Sequence, residues 1–352
     1  MTDTNTPPQK ATPADTDLVM TLAGADAVHF LQGQTTADFE NTEPGAVRFA
    51  AFCNPKGRVI ADVLAVIVNA EYVMIRGRQA VMAALAVHLK PYLSFSKSTL
   101  THSDWRVSCR AVHAAKPSPE HTALMHHDAD TIVGIEIPRG DGIIEHWQAS
   151  ESAAPSQDTA LLPLAEVDMI TARARVEFDT IGAYLPQDLN YDLNGTVSFT
   201  KGCYTGQEIV ARLHYRGTPK RRLYRASLDN TLDEMHDTIA PGARLSNQAN
   251  RAVGSVVNLA TQNNAQQVLI ELTPDAASDS VFLGEPERAL STIQACFEDS
   301  DQSTSPLLWA RRNAFALLKC PQPKKPLWAD SGEGCGACST QCRDRSIAAP
   351  FL

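Results

Sequence analysis

The segment from Leu223 to Leu283 constrains the fold of this 352-residue chain more than any other part of it. It carries five short strand-like runs separated by turn-forming Asp, Asn, Gly and Pro: Leu223 to Leu228, Ala243 to Ser246, Val253 to Leu259, Gln267 to Leu272 and Ser280 to Leu283. Repeated short strands with such turns are typical of small sandwiches and barrels. We therefore expect an all-β domain over residues 220–288.

The region before this domain mixes strand and helix patterns. Val47 to Cys53 and Arg58 to Val68 look like two strands joined by a turn at Asn54-Pro55-Lys56-Gly57, where Pro presets φ and Gly can take a positive φ. Gln79 to Lys90 and Leu164 to Phe178 have helical spacing. Because no regular βαβ series is present, the pattern predicts an α+β fold rather than a doubly wound α/β fold.

The first and last parts of the chain differ from its centre. Residues 1–17 are polar and Thr-rich, without the apolar core of a signal peptide, and no apolar run approaches the roughly 20 residues needed to span a bilayer. These features predict a disordered leader, a cytoplasmic location and no membrane association. We expect four parts: 1–17 as leader, 18–219 as the α+β region with a subdomain break near 100–150, 220–288 as the β domain, and 289–352 as a Cys-rich extension.

The segment Lys201-Gly202-Cys203-Tyr204-Thr205-Gly206-Gln207-Glu208 is the strongest candidate for chemistry. Gly202 and Gly206 flank Cys203, and apolar residues follow at helical spacing, which indicates a tight turn that delivers Cys203 to the start of a short helix. The positive end of a helix and the nearby Lys201 would both favour the thiolate. A buried cysteine beside a turn glycine would explain the same spacing.

Positive charge is concentrated directly after this segment. Seven Lys or Arg and one acid lie between Lys201 and Arg225, in a chain whose formal net charge is −9. Such a patch indicates an anionic ligand, although a solvated edge blunted with cations would look the same. The candidate ligand contacts are Arg212, Arg216, Lys220 and Arg221.

Four of the eight cysteines crowd into the C-terminal extension: Cys320, Cys335, Cys338 and Cys342. Four thiolates can close a tetrahedral zinc site or hold an iron–sulfur cluster. The spacing contains a single C-x2-C pair, so an unstructured tail with reactive thiols is the competing interpretation.

The cysteine segment closely resembles the signature of the YgfZ family. Its continuation as Ile-Val-Ala-Arg-Leu-His-Tyr-Arg-Gly matches as well, and so do four other blocks along residues 18–285: Phe30 to Asp38, Asn54 to Arg58, Leu185 to Gln187 with Val197 to Phe199, and Val253 to Val256. The resemblance implies a fold similar to the aminomethyltransferase (T protein) of the glycine cleavage system, with a folate-binding α+β region followed by a small antiparallel β-barrel.

The same resemblance implies a function. It implies tetrahydrofolate as ligand, and a role in making or repairing iron–sulfur cluster proteins, including tRNA-modifying enzymes, in which Cys203 is important and Lys201 lies alongside it. The implied partners are folate, iron–sulfur client enzymes and the assembly machinery. Two tryptophans that contact folate in the family fall near Asp17 and Met169 here, so another aromatic residue, such as Tyr184, would have to stack on the pteridine.

A folate-dependent aminomethyltransferase is the alternative function. That chemistry needs a placed carboxylate, for which Asp62, Asp104 and Glu208 are candidates by type alone. The cysteine motif is not part of aminomethyl transfer, and soft thiolates suit iron–sulfur chemistry. We therefore favour a non-enzymatic maturation factor, whose basic segment would hold the polyglutamate tail of a folate or another polyanion. The acidic charge balance and the lack of a nucleic-acid-binding motif argue against direct tRNA binding.

Overall fold

The computed structural model describes residues 17–40, 42–112, 121–140, 142–150, 161–228, 239–262, 265–284 and 288–297. Residues 1–16 of the predicted leader and the extension after residue 297 lie outside the described residues. The proposed metal ligands Cys320, Cys335, Cys338 and Cys342 fall in that extension. No helix of the described ranges is long and apolar enough to cross a membrane.

The first structural unit is a five-stranded antiparallel sheet with two helices on one face. Its strands lie in the spatial order β2-β3-β4-β1-β5, with the bounds β1 Asp17–Gly24, β2 Val47–Cys53, β3 Val59–Asn69, β4 Tyr72–Arg78 and β5 Ser98–Ser103. Helices α1 (Ala27–Gln34) and α2 (Gln79–Leu93) contribute Phe30 and Leu85 to the core on that face. Helix α2 continues through Pro91 to Leu93, beyond its predicted end at Lys90.

The second unit is another five-stranded antiparallel sheet, which packs on the opposite face of the first. Its order is β10-β6-β9-β8-β7, with the bounds β6 Trp105–Ala111, β7 Leu124–Asp128, β8 Thr131–Gly140, β9 Ile143–Ala149 and β10 Leu161–Leu162. Trp147 and Ile135 from this sheet pack with Leu64 and Met74 from the first. The chain passes from one sheet to the other at Asp104, between β5 and β6.

The segment between the second sheet and the barrel has little regular structure but is well packed. Helix α3 (Leu164–Ile170) ends before Ala172, which takes a left-handed φ of 51°, so the predicted helix over Leu164 to Phe178 is wrong beyond Ile170. The chain is then extended because distant side chains bind its amides: Asn258 accepts from the amide of Arg175, and Asp62 accepts from the amide of Val176.

Two 3-10 helices, Phe178–Thr180 and Pro186–Leu189, follow and lead to the cysteine segment. The side chain of Asn190 closes the second of these turns onto the barrel, since its amide binds both the N–H and the C=O of Leu223. Helix α4 (Gln207–Arg216) then precedes the barrel.

The C-terminal unit is a closed antiparallel barrel in the order β11-β14-β13-β12-β15-β16. The bounds are β11 Arg222–Leu228, β12 Arg244–Asn247, β13 Ala252–Gln262, β14 Ala265–Leu272, β15 Val281–Leu283 and β16 Arg288–Ala295. The predicted α+β fold with a small antiparallel barrel is thereby confirmed. The barrel extends to Ala295, past the expected limit of 288, because β16 closes it by pairing with both β11 and β15.

Candidate functional site

The separate sequence blocks meet at the start of α4. Gly206 precedes the helix with a φ of 84°, and it packs against the β2–β3 turn, where Asn54 and Gly57 lie. A Cβ at Gly206 would collide with the carbonyl oxygen of Asn54 and would lie 3.1 Å from the Cα of Gly57. Only glycine allows the cysteine segment to sit this close to the turn.

Lys201 fastens the cysteine segment to the end of α1. Its buried Nζ donates to three main-chain carbonyl oxygens, those of Gln32 at 2.6 Å, Thr35 at 2.7 Å and Ala37 at 2.8 Å. Burial lowers the pKa of Lys201 to about 8, which still leaves most of the amine charged at neutral pH. All three donors of the ammonium group are thus used.

Two further residues complete the anchoring of this segment. The fully buried Gln187 donates through Nε2 to the carbonyl oxygen of Val210 in α4 at 2.8 Å. Tyr204 is buried, and its ring centroid lies 5.1 Å from Nζ of Lys201. Three blocks that are far apart in sequence therefore hold one loop and one short helix in place.

Cys203 is exposed on this anchored loop. Three other cysteines of the described ranges, Cys53, Cys109 and Cys296, are buried, and burial raises the pKa of each thiol to about 12. Cys203 lies three residues before Gly206, and the helix proper begins at Gln207, so the cysteine does not lie at the helix start. The ammonium group of Lys201, two residues before Cys203, donates to the carbonyl oxygens of Gln32, Thr35 and Ala37, so the structure gives it an anchoring contact. Gly202 and Glu208 are also exposed.

The cations of the basic segment divide into those that bind other groups of the protein and those that remain exposed. Arg221 binds Oε1 of Glu271 at 2.7 Å, and Arg222 binds Oδ1 of Asp192 at 2.8 Å. Arg225 donates to the carbonyl oxygens of Met169 and Ile170. Three cations of the segment remain exposed: Arg212, Arg216 and Lys220. Arg221 is therefore ion-paired with Glu271 although 40% of its side chain is exposed, whereas the other three predicted contacts take part in no ion pair within the described ranges.

A cavity lies between strands β2, β3 and β4 and residues 168–196. It is lined by the charged and polar residues Asp62, Arg76, Asp168, Arg173, Arg175, Tyr191 and Thr196 and by apolar residues that include Phe49 and Leu64. Its enclosed space has room for about one water molecule, and the rest of its volume is open to solvent. A ring-sized ligand can therefore enter only if side chains move.

A buried ionic network surrounds the cavity. Glu145 accepts from Arg76, Arg139 and Nε1 of Trp147, while Arg139 and Arg175 also bind the two oxygens of Asp168. Burial alone would raise the pKa of Glu145, but the two arginines beside it lower that pKa to about 2. The network joins the first sheet, the second sheet and α3, and so fixes the walls of the cavity.

Arg173 is the arginine of the cavity lining that has no acidic partner in the described ranges. Its guanidinium lies 3.2 Å from the centroid of the Phe49 ring, and its hydrogen bonds are long, 3.3 Å to Oγ1 of Thr196 and 3.4 Å to the carbonyl oxygen of Asn194. Burial lowers the pKa of Arg173 to about 9. A buried guanidinium with weak contacts is suited to binding an anionic or carbonyl oxygen of a ligand.

Sequence reasoning missed Arg173, although a signal was present. Arginine and alanine alternate along residues 172–175. In an extended chain this alternation places Arg173 and Arg175 on the same face. In the helix expected over Leu164 to Phe178, residues two apart lie on different sides, so the shared face of the two arginines was not recognised.

The positions of the family tryptophans have other roles in this chain. Asp17 is a buried member of the ionic network and binds Arg76 and Arg175. Met169 is a buried core residue. Tyr184 is buried as well, with its hydroxyl donating to the carbonyl oxygen of Val256 at 3.2 Å, so its ring does not face the cavity opening as a stacking surface.

The three candidate carboxylates for aminomethyl transfer are placed differently. Asp104 and Glu208 are exposed and do not line the cavity. Asp62 lines the cavity, but Oδ2 accepts from Arg175 at 2.7 Å and Oδ1 accepts from the amide of Val176 at 2.6 Å. Both oxygens of Asp62 are thus engaged by the protein.

The fold and the site define a protein with the aminomethyltransferase fold that carries an anchored, exposed cysteine loop. The aminomethyltransferase T of the glycine cleavage system from Bartonella henselae has a similar structure, with a TM-score of 0.57 and 12% identity over 78% of this chain and 82% of that one. No protein-family profile matches the chain.

Curated relatives supply the family. The chain is 30% identical over 236 residues to the tRNA-modifying protein YgfZ of Vibrio vulnificus (strain CMCP6), which covers 64% of this chain and 69% of that protein. It is 31% identical over 224 residues to the tRNA-modifying protein YgfZ of Escherichia coli O157:H7, or 58% and 67% of the two chains. The chain belongs to the YgfZ family.

Proposed function

We propose that this protein binds folate and assists the assembly or repair of iron–sulfur clusters in client enzymes, including tRNA-modifying ones, in the cytoplasm. The observation that carries the proposal is the exposed thiol of Cys203 on a loop held by Lys201, Gly206 and Gln187. A rigid loop that offers a soft ligand to solvent is suited to transient contact with iron or sulfur on another protein. The names of the curated relatives connect the family with tRNA modification.

The cavity beside Phe49 is the proposed folate site. Its unpaired Arg173 would bind a carbonyl or carboxylate oxygen of the ligand, and the ring of Phe49 would become available for stacking once the guanidinium moves from it. Because the enclosed space is about that of one water molecule, the pteridine would enter only once Arg173 moves from the ring of Phe49. Folate, when bound, would supply a carrier for one-carbon units, while the ionic network of this chain would keep the binding residues oriented.

A Cys203→Ser substitution tests the role of the thiol. Because Cys203 is exposed, we expect the free energy of unfolding to change by less than about 1 kcal/mol. We expect client iron–sulfur enzymes to lose activity in cells in which only the variant is present. The neighbouring Thr205→Ser substitution is the matched control. Full client activity with Cys203→Ser would overturn the proposed role of the thiol.

An Arg173→Met substitution tests the folate site. We expect calorimetric titration with tetrahydrofolate to show at least a tenfold loss of affinity, because a charged hydrogen bond contributes about 1.5–3 kcal/mol. Arg106→Met removes an exposed arginine from the second sheet and should leave the affinity unchanged. Equal affinity of the Arg173 variant and the unsubstituted protein would place folate elsewhere.

The shared fold keeps aminomethyl transfer as the second candidate function. That reaction needs a carboxylate that can take part in folate chemistry, and the oxygens of Asp62 are already bound by Arg175 and Val176. Tetrahydrofolate-dependent turnover of an aminomethyl donor by the purified protein, lost on Asp62→Asn, would favour the enzyme over the maturation factor.

A further inference from the structure

The outer face of α4, the helix that follows the cysteine loop in the chain, is largely exposed. Among the residues of α4 only Val210 is fully buried, so the helix lies on the surface of the protein. Tyr215 and Arg216 lie three and four residues after Arg212, which places all three on one side of the helix. Tyr215 is 66% exposed, and both arginines are exposed.

The charges on this face are unpaired. Lys220 continues the basic surface past the end of α4 and is exposed. Within the described part of the chain, Arg212, Arg216 and Lys220 take part in no ion pair, unlike the adjacent Arg221 and Arg222. Because the chain as a whole is acidic, a polyanion would be repelled by most of the surface and attracted to this face.

Neighbouring aromatic rings hold Tyr215 in place. The ring of His214 stacks on Phe199 with a centroid distance of 3.6 Å and an interplanar angle of 10°, and Tyr215 lies edge-on to His214 at 4.8 Å. The hydroxyl of Tyr215 donates to the carbonyl oxygen of Phe199 at 3.4 Å. The ring is thus supported from one side while most of its surface remains open to a ligand.

We propose that this α4 face, formed by Arg212, Tyr215, Arg216 and Lys220, binds a single-stranded segment of RNA. Guanidinium groups match phosphate geometry, and unpaired bases stack on exposed aromatic rings. An acidic peptide or a folate polyglutamate tail would satisfy the cations but would leave the supported open ring of Tyr215 without a planar partner. The proposal rests on the proposed function, which it deepens by placing RNA on the helix that follows the cysteine loop.

Overall charge and the lack of a known motif are the two features that argue against direct tRNA binding. They describe the average surface of the chain and not its local grouping. Four of the seven cations bind acids or carbonyl oxygens of the protein itself, and the three remaining ones share a surface with one open aromatic ring.

Binding of a fluorescein-labelled single-stranded oligouridine to the purified full chain, followed by fluorescence anisotropy, tests the proposal. Three phosphate contacts predict a slope of about −2 for the logarithm of affinity against the logarithm of salt concentration. We expect R212A/R216A/K220A to flatten that slope to near zero. Tyr215→Ala should weaken binding about fivefold or more, whereas Tyr215→Phe should bind like the unsubstituted chain, because it keeps the ring.

The control removes the same amount of charge elsewhere. K90A/K97A/R106A replaces three exposed cations, one on α2, one in the turn after it and one on β6. Equal loss of affinity in both triple variants, no oligouridine binding, or full competition by poly-L-glutamate at equal charge would overturn the proposal. The outcomes also separate the two inferences. If the unsubstituted chain does not bind RNA but cells still need Cys203, only the RNA contact is refuted. If the chain binds RNA but cells do not need Cys203, only the maturation role is refuted.

Discussion

Gly206 and Gly202 flank the same cysteine but are constrained differently. Gly206 has a left-handed φ of 84° and packs against the β2–β3 turn, whereas a Cβ at Gly202 would meet no atom within 4 Å. We expect Gly206→Ala to lower the free energy of unfolding by about 2 kcal/mol or more. Gly202→Ala should change it by less than about 0.5 kcal/mol. Urea denaturation of the two variants measures the difference, and equal stability would show that the turn can give way.

At the scale of single residues, the sequence motif indicated an exposed cysteine turn but not the contacts of each of its residues. The spacing of Gly202, Cys203 and Gly206 indicated an exposed turn, which the structure contains. It could not indicate the partners of Lys201, because the three carbonyl acceptors come from residues 32–37 and every residue type has a carbonyl. Carbonyl acceptors of the main chain therefore cannot be recognised from the sequence.

The 3-10 helix Pro186–Leu189 is an element that ties the α+β region to the barrel. It ends at Asn190, which has a left-handed φ of 56° and binds both main-chain groups of Leu223. Asn190→Ala and Asn190→Gly both remove those bonds, which should cost about 2 kcal/mol. The alanine variant should lose about 1 kcal/mol more, because it adds a Cβ in the left-handed region. Thermal unfolding measures both, and an alanine variant at least as stable as the glycine variant would contradict this account.

The elements that sequence reasoning found and missed differ in where they lie. Strands β2 and β3 are apolar and are joined by a recognisable turn, so Val47 to Cys53 was located from the sequence alone. Strands β5 and β7 were missed because most of their residues are exposed and many are polar, among them Thr101, His102 and His127. A strand that buries few side chains has little apolar periodicity to recognise.

For the whole molecule, the buried ionic network makes stability depend on acid. The pKa of Glu145 in the folded protein is about 2, below its ordinary value of 4.5, because Arg76 and Arg139 outweigh the effect of burial. A carboxyl group with a depressed pKa stabilises the fold above pH 4.5, and this contribution is lost as the pH falls toward 2. We expect stability to decline over that range, by up to about 3 kcal/mol from Glu145.

Glu145→Gln should lower stability at neutral pH and flatten the decline between pH 4.5 and 2. Glu136→Gln, a change on the partly exposed face of the same sheet, is the control and should keep the profile of the unsubstituted protein. Unfolding by urea at several pH values gives both profiles. Parallel profiles for Glu145→Gln and the unsubstituted chain would remove Glu145 as the source of the acid sensitivity.

The anchoring of Lys201 also determines when, during synthesis, the cysteine loop can form. The ammonium group binds carbonyls that lie 164 to 169 residues earlier in the chain. A ribosome must therefore translate 201 of the 352 residues before the end of α1 receives its cation. Cys203 can take its anchored position only after the strands of both sheets have been made.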